Sequence, residues 1–148
     1  MTLTNHLLAG SLIAKYLPLP IAIPVAFASH FVLDALPHFG FKTIDERLEQ
    51  KDSVLLKTMI LLDVLVALIF ATWLIYNNHL SWLLVGLVAF SPDFIWIYRF
   101  IFQENFGKLR PRPGGRFIQF HAGLQKREFP RGWVVEMIVA CGLFVLVH

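Results

Sequence analysis

The chain has 148 residues, the size of one domain, and 57% of them are hydrophobic while only 16% are charged. Soluble domains are about 45–50% apolar and about 25% charged, so a compact soluble protein of this size could not bury so much apolar surface. The formal net charge is +3, and a single cysteine excludes both an intramolecular disulfide and a cysteine-based zinc motif. We therefore expect an integral membrane protein, with a very apolar soluble helical bundle as the alternative.

Two short apolar segments open the chain. The first is predicted as a helix over residues 3–17 and closes at the break made by Pro18 and Pro20; the second is predicted over 21–36. Both are shorter than the roughly 20 residues that cross a bilayer, so we expect a tilted or half-inserted hairpin. The polar, mixed-charge segment 42–57 follows, and we expect it at the surface.

Three further apolar segments are predicted as membrane spans, over residues 59–76, 82–102 and 133–147. A short turn, 77–81, joins the first two. A basic loop, 104–131, joins the second to the third, and its prolines and glycines indicate irregular structure. The predicted fold class is all-α: one membrane-embedded helical domain over residues 1–148, with about four to five helices, of which the first two are short.

Lysines and arginines predict the orientation of these segments. They are concentrated in the 104–131 loop, whereas the 77–81 turn contains none. Because cytoplasmic loops carry an excess of basic residues, the 104–131 loop is expected in the cytoplasm. Counting back along the chain then puts the N-terminus and the 42–57 segment inside, and the 77–81 turn and the C-terminus outside.

An otherwise apolar segment carries His30, Asp34 and His38 at intervals of four residues. Four residues are slightly more than one helical turn, so His30 and Asp34 are expected on one face of a helix. Pro37 disturbs the helix and puts His38 just past its end. The segment therefore offers two metal ligands on one helix face and a third candidate at its C-terminus.

Other segments bring more histidines and aspartates to the same end of the bundle. His6 lies in the first turn of the first helix, Asp63 opens the third helix, His121 lies in the cytoplasmic loop, and Asp93 falls within a predicted span. An ionised aspartate in hydrocarbon costs about 2.5–3.5 kcal/mol, so each needs a partner, a cavity or an ion. The alternatives are a hydrogen-bonded packing role for Asp63, a loop position for His38 and a capping role for His6.

Together these residues are typical of a metal site. Divalent cations neutralise several carboxylates and accept neutral imidazole as a ligand, and histidine with aspartate suits zinc, or manganese or iron. The candidates exceed one tetrahedral site, which favours two ions. The predicted metal ligands are His6, His30, Asp34, His38, Asp63, Asp93 and His121.

Three motifs carry a family resemblance: TNHLLAGSLIA at the start, then SHFVLDALPH, then FSPDFIW. With them the chain resembles the bacterial membrane-bound predicted metal-dependent hydrolases, a group related to zinc-dependent phospholipase C. The resemblance implies a place in the bacterial inner membrane and metal ligation by His6, His30, Asp34 and Asp93. The chain departs from the related soluble enzymes because it has no obvious His-x-x-x-Glu and no second His-x-x-x-Asp.

The predicted function is a membrane-embedded metal-dependent hydrolase that acts on a phospholipid or another anionic ester at the cytoplasmic surface. A bound divalent cation lowers the pKa of water towards about 7 and polarises the ester. Asp34 or Asp63, whichever is not a ligand, is the expected general base or orients a ligand histidine. Membrane lipid is the expected partner, and nucleic acid is not. The rival expectations are transport of a metal ion or protons through the same residues, and a non-enzymatic membrane scaffold.

Overall fold

The computed structural model describes residues 1–39, 54–94, 116–124 and 128–148. The α-helices in these ranges are α1 (Leu3–Tyr16), α2 (Leu19–Asp34), α3 (Val54–Tyr76), α4 (Leu80–Phe90), α5 (Arg116–Leu124) and α6 (Trp133–Val147). The prediction of a helical fold is confirmed for this part of the chain. Most of the polar segment 42–57, the end of the predicted span 82–102 and the first part of the basic loop lie outside the described residues.

Helix α1 lies at the centre of the fold and packs against α2, α3, α4 and α6. Its residues 4–11 are all buried, including four polar side chains. A helix that is buried all round is a core helix. With 14 and 16 residues, α1 and α2 are as short as the sequence predicts.

Glycines allow α1 and α4 to approach closely where they cross. A Cβ atom added to Gly10 would lie 2.6 Å from the Cα of Gly86, and one added to Gly86 would lie 2.8 Å from the carbonyl oxygen of Leu7. Small residues at a helix crossing let two backbones come this close. His6 is one turn before Gly10 in α1, so the crossing brings His6 towards the end of α4.

Helix α2 presents a stripe of small and polar residues towards α4. Ala22, Ala26, His30 and Asp34 follow one another at four-residue intervals, and all four are fully buried. The two alanines pack against Ala89 of α4. His30 and Asp34 therefore share one helix face, as their spacing predicts, and the alanines let that face come close to α4.

A 3-10 turn interrupts the predicted span 82–102. Helix α4 stops at Phe90, and Ser91–Asp93 form a 3-10 turn. Pro92 has no backbone N–H to continue the α-helical hydrogen bonding. The hydroxyl of Ser91 instead donates to the carbonyl of Val88 at 2.8 Å. Asp93 consequently lies in a 3-10 turn just past the end of α4. Residues 95–102 of the predicted span lie outside the described residues, so the depth of Asp93 within that span stays a prediction.

Helix α5 occupies part of the loop that the sequence predicts to be irregular. The residues that indicate a loop precede α5 in the sequence; they are Pro111, Pro113, Gly114 and Gly115. Phe117 and Phe120 of α5 lie 6.0 and 5.5 Å from the ring of Phe31 in α2, between ring centroids. These contacts with a distant segment hold the short helix against α2.

A small parallel sheet also differs from the all-α prediction. Strand β1 (His38–Phe39) follows α2, and strand β2 (Glu128–Phe129) precedes α6. His38 pairs with Glu128 and Phe39 with Phe129. Strands of two residues are too short to show an alternating hydrophobic pattern, so the sequence gives no sign of them.

Helix α3 is the one described helix that is long and apolar enough to cross a membrane. Its stretch Lys57–Tyr76 has 20 residues, and 17% of its 18 most apolar consecutive residues are buried. The 23 residues of α3 measure about 35 Å, against about 30 Å for the hydrocarbon core of a bilayer. Leu19–Asp34, Leu80–Asp93 and Trp133–Val147 are apolar but shorter.

Candidate metal centre

Four side chains from three elements meet at one end of the helix bundle. His30 and Asp34 come from α2, Asp93 from the 3-10 turn after α4, and His121 from α5. One potential ligand atom from each lies within 4.8 Å of the others. The Asp93 side chain is 16% exposed, whereas the other three are fully buried. Two imidazoles and two carboxylates in this arrangement can hold a divalent metal ion.

The distances among the ligand atoms fit a four-coordinate cation. Nε2 of His30 lies 3.2 Å from Oδ2 of Asp34 and 3.6 Å from Oδ1 of Asp93. Nε2 of His121 lies 2.8 and 3.7 Å from the same two oxygens, and the two Nε2 atoms are 3.0 Å apart. Zinc bonds of about 2.0–2.1 Å directed to the corners of a tetrahedron separate neighbouring ligand atoms by about 3.3 Å. The observed distances lie on both sides of this value.

A backbone hydrogen bond selects the tautomer of His30. Nδ1 of His30 lies 2.9 Å from the carbonyl oxygen of Ala89. A carbonyl oxygen can only accept, so Nδ1–H is the donor, and in the neutral ring the lone pair is on Nε2, which faces the cluster. Histidines that bind metals commonly donate their other ring N–H to such an acceptor. His30 is therefore prepared to act as a ligand through Nε2.

Aromatic packing sets the position of His121. Its ring lies edge-on to Phe31 of α2 with a centroid separation of 5.7 Å, and Phe31 is likewise edge-on to His30 at 5.2 Å. Phe117, one turn before His121, also contacts Phe31. Phe31 thus contacts both ligand histidines and packs against α5. It is a residue of the site that sequence reasoning missed, because no spacing relates α2 to α5.

The two carboxylates of the cluster require positive charge nearby. Asp34 is fully buried, and a buried carboxylate without a partner costs several kcal/mol. A positively charged group does lie beside it, because the amino nitrogen of Met1 is 2.7 Å from Oδ1 of Asp34. A divalent cation between Asp34 and Asp93 would neutralise both carboxylates.

His6 borders the cluster from α1. Its Nε2 lies 3.3 Å from Oδ1 of Asp34 and 3.8 Å from Oδ2 of Asp93, and its ring stacks on His30 with a centroid separation of 4.2 Å. The side chain is fully buried, and neither ring nitrogen has a hydrogen-bond partner within the described ranges. Nε2 of His6 therefore faces the two carboxylates but does not form a hydrogen bond with either of them.

Asp63 makes the contacts of a helix cap. Its Oδ2 accepts the backbone N–H of Leu3 at 2.8 Å, and its Oδ1 accepts that of Thr4 at 3.1 Å. The hydroxyl of Thr4 donates to the backbone oxygen of Asp63 at 3.1 Å. The first N–H groups of a helix have no partner within the helix, and a carboxylate can satisfy them. These contacts match the packing alternative. Ligation or general-base catalysis by Asp63 stays a prediction.

Asn5 and Glu136 fix the same turn of α1. The side-chain amide of Asn5 donates to the backbone oxygen of Glu136 at 3.2 Å and to the hydroxyl of Thr2 at 2.9 Å. Both Asn5 and Glu136 are buried. Since Asn5 adjoins His6 in the sequence, α3 and α6 together hold the turn that carries His6. In the sequence, an asparagine within an apolar helix indicates such a hydrogen-bonding role.

His38 lies just past the end of α2, as the position of Pro37 predicts. It is buried in β1, and its Nδ1–H donates to the carbonyl of Leu36 at 2.7 Å. The four converging side chains found among the described residues do not include it. Metal ligation by His38 therefore stays a prediction.

Comparisons with known proteins do not assign the chain to a family. It matches no protein-family model, and no curated protein or solved structure is significantly similar to it. The chemistry of the site therefore rests on its own geometry.

Proposed function

We propose that the protein is a membrane-embedded metal-dependent hydrolase whose metal is held by His30, Asp34, Asp93 and His121. The observation that carries this proposal is the convergence of one ligand atom from each residue within 4.8 Å. Imidazole and carboxylate ligands without cysteine suit zinc, manganese or iron, and zinc is the ion we propose. The resemblance to the bacterial membrane-bound metal-dependent hydrolases supports the class of reaction.

The exposure of the ligands indicates where a substrate would approach. When bound, a divalent cation activates water and polarises an ester. Catalytic sites leave one side open to water and substrate. Here Asp93, at 16% side-chain exposure, marks the open side, whereas Asp34, at 0%, closes the site from within the bundle. The buried ligands hold the ion, and the substrate would enter beside Asp93.

A row of three apolar pockets beside α3 favours an amphiphilic substrate. Their volumes are about 360, 300 and 410 Å³; Val66 lines the first and the second, and Asp63 lines the second and the third. The third pocket is also lined by Phe90, whose ring centroid is 6.5 Å from that of His6. A lipid acyl chain suits such a row of pockets, so a phospholipid or another anionic ester is the proposed substrate.

The proposed location is the bacterial inner membrane, with several helices embedded and the cluster on the cytoplasmic side. Support comes from the outer surface of the bundle, because large apolar side chains are exposed on α2, α3, α4 and α6, for example Ile21, Val32, Leu61, Ile69, Leu84 and Val145. The basic 104–131 loop favours this orientation. Reporter fusions at Asn78 and Pro113 should report outside and inside respectively, and the reverse result would move the site to the other face.

Metal analysis of the purified, detergent-solubilised protein tests the proposal. Asp34→Asn keeps the size of the side chain but removes the charge, and we expect metal affinity to fall at least 10–100-fold. A packing role predicts that asparagine is tolerated, because an uncharged amide is cheaper to bury. His79→Gln, at the other end of the bundle, is the control. A metal-free wild type, or wild-type metal in Asp34→Asn, would overturn the proposal.

The reaction itself needs a second measurement. Zinc-loaded protein is incubated with vesicles that contain an anionic phospholipid, and the release of water-soluble and lipid products is followed. We expect hydrolysis that a chelator stops and that Asp34→Asn lacks. Flux of zinc or protons in proteoliposomes without hydrolysis would instead support the transport alternative.

A further inference from the structure

The two oxygens of each aspartate in the cluster face different histidines. Oδ2 of Asp34 and Oδ1 of Asp93 are the oxygens near His30 and His121. Oδ1 of Asp34 and Oδ2 of Asp93 are instead the oxygens near His6. The proposed first metal uses only one oxygen of each aspartate. The other oxygen of each remains on the side of His6.

The environment of His6 gives an independent reason to expect an ion on that side. Its side chain is 0% exposed, and among the described residues neither ring nitrogen has a hydrogen-bond partner. A buried polar group without a partner is costly, and an ion bound by the imidazole would satisfy one of its two nitrogens. Nε2 of His6 is the nitrogen near Oδ1 of Asp34 and Oδ2 of Asp93, at 3.3 and 3.8 Å.

We propose that a second divalent cation binds between Nε2 of His6, Oδ1 of Asp34 and Oδ2 of Asp93. The two aspartates would then bridge a pair of ions. This inference rests on the proposed function, because both carboxylates are shared with the first metal. In addition to the ion held by His30 and His121, the site would then hold a second ion whose histidine ligand is His6.

The stacking of two histidines agrees with a pair of ions. Hydrolytic sites with two metals hold them about 3.5–4 Å apart. The rings of His6 and His30 are stacked with centroids 4.2 Å apart and planes inclined by 22°. Two nearly parallel imidazoles at this separation can each bind one ion of such a pair.

Positive charge is already bound on this side of Asp34. The amino nitrogen of Met1 lies 2.7 Å from Oδ1, the oxygen assigned to the second ion, and both groups are fully buried. Oδ1 of Asp34 therefore already faces a cationic group, and the second ion would take the place of this amino group. Paired ions supply stabilisation to both the attacking and the leaving oxygen of an ester.

Metal stoichiometry tests the inference. Wild type, His6→Gln and His148→Gln are dialysed against Zn²⁺, and bound zinc per chain is measured by elemental analysis. We expect two ions in the wild type and in His148→Gln, a control at the other end of the bundle, and one ion in His6→Gln. Two ions in His6→Gln would place the second ion elsewhere and overturn the inference.

A wild-type measurement covers the case in which His6→Gln fails to fold, as judged by circular dichroism. Protein loaded with Mn²⁺ should give an electron paramagnetic resonance spectrum of two coupled ions. A spectrum of isolated Mn²⁺ with one ion per chain overturns the second site and leaves the proposed function standing. Absence of any bound metal in the wild type overturns both.

Discussion

The two ends of the helix bundle both carry histidines but surround them with different chemistry. At the end where α1 begins, three buried histidines face two aspartates. At the opposite end, His79 stacks on Trp82 with centroids 4.0 Å apart and planes inclined by 5°, and His148 stacks on Trp73 at 4.3 Å. The same residue type thus meets carboxylates at one end and indole rings at the other.

This difference separates an end that could hold a cation from an end where the histidines serve packing. Buried carboxylates beside imidazoles leave a demand for positive charge, which an ion can meet. An imidazole stacked on an indole needs no ion, and tryptophan is common where a helix meets the membrane surface. At that end, the amino group of Lys15 donates to the carbonyls of Leu146 and Val147, both at 3.0 Å, and so caps the last turn of α6. Histidine alone therefore does not indicate a metal site; its neighbours do.

The largest expected effect is stabilisation of the aspartate-containing end by metal. Zinc at a free concentration 100-fold above its dissociation constant should raise the free energy of unfolding by about 2.7 kcal/mol. Asp34→Asn should lose this increase, because it removes the anionic ligand that contacts three histidines. Thermal unfolding in detergent, with zinc or with a chelator, measures both. An equal increase in Asp34→Asn would show that zinc binds elsewhere.

The close crossing of α1 and α4 should be the next most sensitive feature. The Cβ of Gly86→Ala would lie 2.6 Å from Cδ1 of Leu7 and 2.8 Å from the carbonyl oxygen of Leu7, and such overpacking costs about 1–3 kcal/mol. It should also weaken metal binding by moving His6. Gly142→Ala in α6 is the control, since no atom lies within 4 Å of a Cβ added there. That change should be neutral or stabilising by about 0.5–1 kcal/mol. Chemical denaturation compares the two, and equal effects would contradict the role given to the crossing.

Local spacing explains which parts of the site the sequence could predict. The four-residue interval placed His30 and Asp34 on one helix face, because that relation depends only on helical geometry. The interruption after α4 could also be predicted from the sequence, because Pro92 lies within the predicted span 82–102 and lacks the backbone N–H that an α-helix needs.

Long-range contacts explain the rest. His121 reaches Asp34 across 87 residues, through a short helix that is held by phenylalanine contacts. Asp63 caps α1 from 60 residues away. A single sequence shows that these residues are polar within apolar surroundings, but not which partner satisfies them.

Substitution of Asp63 should change the free energy of unfolding less, and it distinguishes helix capping from metal ligation. Asp63→Ala removes the acceptor for two N–H groups of α1 and should cost about 0.5–2 kcal/mol. Asp63→Asn should retain most of the stability and the bound zinc, because asparagine caps helices as well as aspartate does. Unfolding and zinc content are measured on both variants. If asparagine and alanine lose zinc equally, Asp63 is a metal ligand and not a cap.

The smallest expected effect lies at the tryptophan-containing end. His79→Gln removes the stack on Trp82 at a partly exposed turn, so the free energy of unfolding should fall by no more than about 0.5 kcal/mol. Zinc content should stay at the wild-type value, because His79 contacts indole rings and His6 contacts carboxylates. Equilibrium unfolding and elemental analysis check both values. A loss of zinc in His79→Gln would mean that the ends are coupled along α4, since this one helix connects His79 to Asp93. The contrast between a binding end and a packing end would then fail.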